Sequence, residues 1–178
     1  MRRGVFLDRD GVLVRAVIRN GKPHPPASLE EMEMLPGVAQ ALATLRNAGF
    51  RLIMVTNQPD VARGKIGRDT VEAMNARLRT DLGLDATLVC YHDDHDGCEC
   101  RKPKPGMLME AAGQFGLDLK ASYMVGDRWR DIEAGRRAGC ATVFVDWGYD
   151  EKLVGEPDCR VRDLAEAAEW ILGKTEMA

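Results

Sequence analysis

Residues 5–13 read Val5-Phe6-Leu7-Asp8-Arg9-Asp10-Gly11-Val12-Leu13. Three apolar residues run straight into two carboxylates one residue apart, and a glycine follows. The pattern predicts a buried strand whose end delivers Asp8 and Asp10 into a sharp turn. Such a place can hold a metal and carry chemistry. An Asp-Gly turn with two solvated acids has the same letters, so the rest of the chain must decide.

The same arrangement recurs downstream. Phe50 to Val55, with Leu52, Ile53, Met54 and Val55 together, predicts a central buried strand running into Thr56-Asn57-Gln58. Ser122 to Val125 predicts another, running into Gly126-Asp127. Further strands are expected at Ala86 to about Tyr91 and at Ala141 to Val145. Helical spacing fills the intervals. Val38, Ala41, Leu42 and Leu45 follow Pro36-Gly37 and stop at Gly49; Val71, Met74 and Leu78 follow Asp69 as a cap and end at Leu82-Gly83. Helices are also expected from Pro105 to Gly116, from about Asp131 to Ala138 before Gly139, and from Leu164 to Ile171. Strands alternating with helices predict an α/β fold, a Rossmann-like three-layer sandwich around a parallel sheet. In such a sheet ligands bind beyond the carboxyl ends of the strands, where Asp8, Asp10, Thr56, Asn57 and Asp127 all fall. Residues 14–35 carry the turn signal Asn20-Gly21 and three prolines, Pro23, Pro25 and Pro26, and predict an irregular stretch. It is either a surface excursion or a small flap over the site.

With 178 residues, 45% hydrophobic and 30% charged, the chain is expected to form one domain, 1–178, with its own core. A net charge of −3 with scattered Lys and Arg excludes the basic stripe of a nucleic-acid-binding protein. No apolar run approaches the ~20 residues of a membrane span, and Met1-Arg2-Arg3-Gly4 does not open a signal peptide. A cytoplasmic monomer is expected. The five cysteines divide unevenly. Cys90-x-His92 and Cys98-x-Cys100 offer three thiolates and one imidazole, the donor set of a closed structural zinc site. Asp93, Asp94, His95 and Asp96 are competing ligands or an acidic rim, and Cys140 and Cys159 read as small core residues. The cluster runs directly into Arg101-Lys102, so a zinc-pinned loop over 90–101 would hold those cations over the strand ends.

Asp8-x-Asp10-Gly11-Val12-Leu13, Thr56-Asn57, the lysine of Arg101-Lys102-Pro103, and Gly126-Asp127 with Asp131 four residues on resemble, in order, the four motifs of the haloacid dehalogenase (HAD) superfamily of phosphatases. The resemblance implies Asp8 as nucleophile, Asp10 as general acid and base, and the Thr56 hydroxyl, the Asn57 backbone amide and Lys102 as donors to the transferring phosphoryl group. It implies Mg2+ held by Asp8, the Asp10 carbonyl and Asp127, with Asp131 behind them or merely starting a helix. Lys104 competes with Lys102 for the cationic role.

The Cys-His insertion, Pro105-Gly106-Met107 and Thr56-Asn57-Gln58 narrow the resemblance. They point to the D-glycero-D-manno-heptose-1,7-bisphosphate 7-phosphatases and the related histidinol-phosphate phosphatases, both small bodies without a large cap domain. In either group Arg63, Arg101 and Arg128 would contact a small phosphorylated substrate. Val14 and Pro59-Asp60 depart from the usual Asn and Ser-Gly, which leaves substrate identity open. A reading from another class is a signalling phospho-acceptor, which also combines acids, Thr and Lys on an α/β sheet.

Overall fold

The computed structural model describes residues 2–176. In chain order, β1 (Arg3–Leu7) is followed by the short strands β2 (Val17–Arg19) and β3 (Lys22–His24). Then come α1 (Val38–Asn47), β4 (Phe50–Asn57), α2 (Arg68–Leu82), β5 (Ala86–Cys90) and α3 (Gly106–Phe115). The last elements are β6 (Tyr123–Gly126), α4 (Trp129–Ala138), β7 (Ala141–Val145), β8 (Cys159–Val161) and α5 (Leu164–Glu176). Six strands form one sheet in the order β5-β4-β1-β6-β7-β8, every pair parallel. The chain leaves β1 toward β4 and β5, then crosses back to β6. The ends of β1, β4 and β6 therefore converge where the strand order reverses, which is where an open α/β sheet binds its ligand.

The central strands are apolar throughout because both faces are covered. Val5, Leu7, Leu52, Met54 and Val125 join one buried cluster with Leu42 and Leu45 of α1 and Ala167 and Ile171 of α5. Phe6, Ile53, Val55 and Met124 turn the other way, onto Met107, Leu108 and Ala111 of α3 and Ala134 of α4. Successive residues thus feed opposite layers, the two-residue period of a strand. Each leucine so buried stabilises by about 1.5–3 kcal/mol, which fixes the layers more firmly than any capping contact.

Three expectations need correction. Residues 14–35 are not wholly irregular, because β2 and β3 form a hairpin with Asn20 at φ 52° and Gly21 at φ 72° in its two-residue turn. Pro23 is tolerated because it pairs with Ile18, one position beyond the Arg19–Lys22 pair that flanks the turn. In an antiparallel ladder that alternate position exchanges no N–H bonds. Asp69 does not cap α2; Gly67 occupies the cap in extended backbone and Asp69 lies in the first turn. The edge strand β8 lay outside the expected elements. Among the described residues, no helix is long and apolar enough to cross a membrane.

Candidate active site

Asp8 leaves the end of β1 with its N–H still donating to Val125 O at 3.0 Å, so the strand geometry aims its carboxylate at the sheet's carboxyl edge. There it meets Lys102, which is only 2% exposed and reaches in from a loop. Lys102 Nζ donates to Asp8 Oδ1 at 2.8 Å and to Val55 O at 2.8 Å, and lies 2.6 Å from Asp131 Oδ1. Burial alone would lower the ammonium's pKa, but Asp131 and Asp8 outweigh it and hold the group above the ordinary lysine value. Asp131 Oδ2 accepts from Arg128 N at 3.0 Å in the first turn of α4. Asp131 therefore both starts its helix and anchors Lys102. Burial, with Asp8 close by, pushes its carboxyl up to about 6 despite the lysine.

Asp127, at the end of β6, is as buried as Lys102, yet its Oδ1 has no hydrogen-bond partner. Burial, then repulsion from Asp8 and Asp131, raises its pKa well above the carboxylate range. Asp8, Asp127 and Asp131 each bring an oxygen within 4.8 Å of the others. Three converging carboxylates with an orphaned buried oxygen suit a hard divalent cation, which would reverse the repulsion. Gly11 makes the close approach feasible. At φ 89° a Cβ there would lie 2.0 Å from Asp127 Oδ2.

The ends of β4 and the lysine loop are stitched together. Asn57 Nδ2 donates to Lys102 O at 3.0 Å and Lys102 N donates back to Asn57 Oδ1 at 3.1 Å. The Asn57 side chain thus positions the lysine, beyond the backbone-amide role expected for it. Thr56 is buried and its Oγ1 accepts from Gln58 Nε2 at 3.0 Å. Lys104 turns outward to Glu99, 2.8 Å away, and takes no place at the carboxylates.

Between β5 and Lys102 lie the four soft donors. Cys90 Sγ is 3.7 Å from Cys98 Sγ and 3.2 Å from Cys100 Sγ; His92 Nδ1 is 3.6 Å from Cys90 Sγ and 3.3 Å from Cys100 Sγ. Ligands around tetrahedral zinc would stand about 3.6–3.8 Å apart, so the donor set and its spacing fit that ion. Asp93, Asp94, His95 and Asp96 stay outside the cluster: Asp93 caps the single helical turn Asp94–Asp96, and Asp96 Oδ2 accepts from Asp93 N at 2.7 Å. The loop backbone packs so tightly on α3 that a Cβ at Gly106 would come within 2.2 Å of Glu99 O.

Above the carboxylates opens a cleft of about 280 Å³, which Arg63, Arg101 and Arg128 all line, together with Pro23 and His24 of the hairpin and Pro25 just beyond it. None of the three arginines points free. Arg63 pairs with Asp93, Arg101 Nε donates to Asp94 Oδ1 at 2.9 Å, and Arg128 forks onto Glu151 at 2.9 and 2.6 Å.

The family model for haloacid dehalogenase-like hydrolases matches residues 24–139. The chain is a haloacid dehalogenase-like hydrolase. It is 38% identical over 158 residues to the D-glycero-beta-D-manno-heptose-1,7-bisphosphate 7-phosphatase of Pseudomonas aeruginosa, covering 86% of each chain. It is 32% identical over 180 residues to the enzyme of the same name from Escherichia coli, covering 94% of this chain and 87% of that one. A crystal structure of the B. bronchiseptica D,D-heptose 1,7-bisphosphate phosphatase, complexed with magnesium and phosphate, superposes with a TM-score of 0.83 at 34% identity. The match covers 97% of this chain and 99% of that one. The hydrolase is thus a phosphatase of the HAD type, with a parallel sheet and no large cap.

Several residues of this hydrolase's site have roles that no local sequence pattern announces. Arg9, Gln58 and Asn75 are buried polar groups linked to Asp10. Lys65 and Arg130 line the cleft beside the nominated arginines. Glu151 reads as a surface acid because nothing in its own neighbourhood announces a partner 23 residues away. Arg9 stands between two carboxylates at a buried strand end, but that setting names neither its burial nor its partners.

Proposed function

We propose that this phosphatase hydrolyses the 7-phosphate of D-glycero-D-manno-heptose 1,7-bisphosphate through an aspartyl-phosphate on Asp8. The observation that carries the chemistry is the buried Lys102 tying Asp8 to Asp131 beside an Asp127 oxygen that lacks a partner. Lys102 occupies Asp8 Oδ1, which leaves Oδ2 to attack phosphorus. As the Asp8–phosphorus bond forms, the bond to the sugar oxygen breaks and Asp10 gives that oxygen its proton. Asp10 then takes a proton from water, whose oxygen attacks the same phosphorus; the acyl–phosphate bond breaks, freeing phosphate and regenerating Asp8. Thr56 and the Asn57 amide donate to the phosphoryl oxygens, and Lys102, whose three donors rest on Asp8, Val55 and Asp131 before substrate arrives, brings its positive charge to them and can turn a donor their way as charge builds. Asp8, Asp127 and the Asp10 carbonyl would hold Mg2+, which neutralises carboxylate and phosphate charge when bound. Asp131 acts behind them by fixing Lys102.

Zinc on Cys90, His92, Cys98 and Cys100 would pin the loop that presents Arg101 and Lys102. Thiolates persist as ligands in a reducing compartment, which supports a cytoplasmic enzyme. We take it to act as a monomer, without nucleic-acid or membrane partners.

For the substrate, the relatives' names and the charge of the outer cleft agree. Arg63, Lys65, Arg101, Arg128 and Arg130 stand there with Asp60, Asp94 and Glu151, and Asp93 pairs with Arg63 from just outside; the one-cation excess of that rim suits a second phosphate better than the amine of histidinol phosphate. A phosphate-release panel with and without magnesium, comparing heptose bisphosphate anomers, histidinol phosphate and hexose phosphates, tests this. Highest kcat/KM on the heptose bisphosphate is expected, and a preference for histidinol phosphate would reject the substrate. No release from any of them, with no effect of Asp8→Asn, would reject the chemistry.

A further inference from the structure

Asp10 is held from behind, by residues that do not touch the cleft. Arg9 Nε and Nη2 donate to its two carboxylate oxygens at 3.0 and 3.1 Å, and Gln58 Nε2 adds a bond to Oδ2 at 2.8 Å. Arg9 is 0% exposed, and its remaining arm donates from Nη1 to Asn75 Oδ1 at 3.0 Å. Its backbone is fixed as well, since Arg9 O accepts from Leu13 N at 2.9 Å and Val14 N at 3.0 Å.

Asn75 is the less expected member. It lies 4% exposed on the buried face of α2 beside Met74 and Leu78, where an apolar side chain would pack, and its Nδ2 has no partner. A buried amide with an unmet donor is a net cost to folding. What the position gains is an acceptor for a guanidinium that has five donors and can accept nothing.

We propose that Arg9, anchored by Asn75, is a positioning residue that fixes the plane and rotamer of the Asp10 carboxylate for proton transfer. The inference rests on Asp10 being the proton-transfer group. A planar fork sets orientation as well as distance, which a lysine at position 9 could not do. Misplacing a reacting group by about 1 Å can cost roughly 100-fold in rate. Since neither Arg9 nor Asn75 lines the cleft, substrate affinity should not register their loss.

The test uses the magnesium-loaded full chain and two substrates, heptose bisphosphate and para-nitrophenyl phosphate. Asn75→Leu keeps the size of the side chain and removes the acceptor; Asn75→Asp keeps the acceptor. Asn75→Leu is expected to fold, keep its KM, and lose about 10–100-fold in kcat on the sugar phosphate. On the aryl phosphate, whose phenolate leaves without a proton, it should accumulate phosphoenzyme, read as a mass increase of one phosphoryl group, because only water attack still needs Asp10. Asn75→Asp should restore most of the rate. Wild-type kcat in folded Asn75→Leu, or a reduced kcat with no phosphoenzyme, overturns the inference. If Asn75→Leu fails to fold, Arg9→Lys is read by the same two criteria. Asp10→Asn separates the levels: inactive Asp10→Asn beside fully active Asn75→Leu rejects only the positioning role, whereas active Asp10→Asn rejects the role of Asp10 and the inference with it.

Discussion

The floor and the rim of the cleft are built by opposite rules. On the floor, Asp8, Lys102, Asp127 and Asp131 are buried and mutually constrained, with like charges crowded together and one oxygen left unpartnered. On the rim, Arg63 and Arg128 are about a third exposed in their side chains and each is matched to its own acid. A buried, crowded site has one workable arrangement, which suits the chemistry proposed for it. Exposed ion pairs are worth little to stability and exchange partners readily, so the rim is where a substrate phosphate can displace a carboxylate.

The floor should break first and hardest. Asp8→Asn is expected to lower kcat by about 10⁴-fold or more while the fold persists, measured by phosphate release and circular dichroism. Asp127→Asn should also abolish magnesium-dependent turnover. Without metal it should melt above the wild type, because a carboxylate that Asp8 and Asp131 repel has become neutral, and adding Mg2+ should no longer raise the melting temperature. Cys98→Ser tests the loop between floor and rim. Zinc should fall from about one per chain, by metal analysis, with a roughly 10–100-fold loss of kcat as Lys102 loosens. Zinc-free protein of unchanged activity would refute a positioning role for that loop. The rim should respond least, and in KM. Arg128→Ala is expected to raise KM for a bisphosphate about 10-fold, a loss near 1.4 kcal/mol, with kcat and simple monophosphates little affected.

Floor and rim were also unequally legible in the sequence. The floor lies at the ends of β1, β4 and β6, whose apolar runs announce buried strands, so the polar residues following each run fall together once the sheet is parallel. Lys102 was legible as the lysine of Arg101-Lys102-Pro103, the third of the four ordered motifs, just after the Cys-His cluster. Arg9 and Asn75 were not, since an arginine buried in full and an asparagine on a helix's core face contradict the usual meaning of those residues. The rim's pairings were invisible for another reason. Arg128 with Glu151 and Arg63 with Asp93 are set by loop geometry across tens of residues, which no local pattern records. The fold's misses have the same origin. Cys159-Arg160-Val161 is too short and mixed to read as a strand, and only its place beside β7 makes it one. Pro23 argued against a strand until its register exempted it from donating a hydrogen bond.

Whether floor chemistry is aimed by rim recognition is decided most directly by phosphorus NMR during turnover of heptose 1,7-bisphosphate with magnesium. The 7-phosphate resonance should vanish as inorganic phosphate appears, with the 1-phosphate intact, and Asp8→Asn should leave both signals unchanged. Release of the 1-phosphate, equal loss of both, or turnover persisting in Asp8→Asn would mean that this cleft does not work as described.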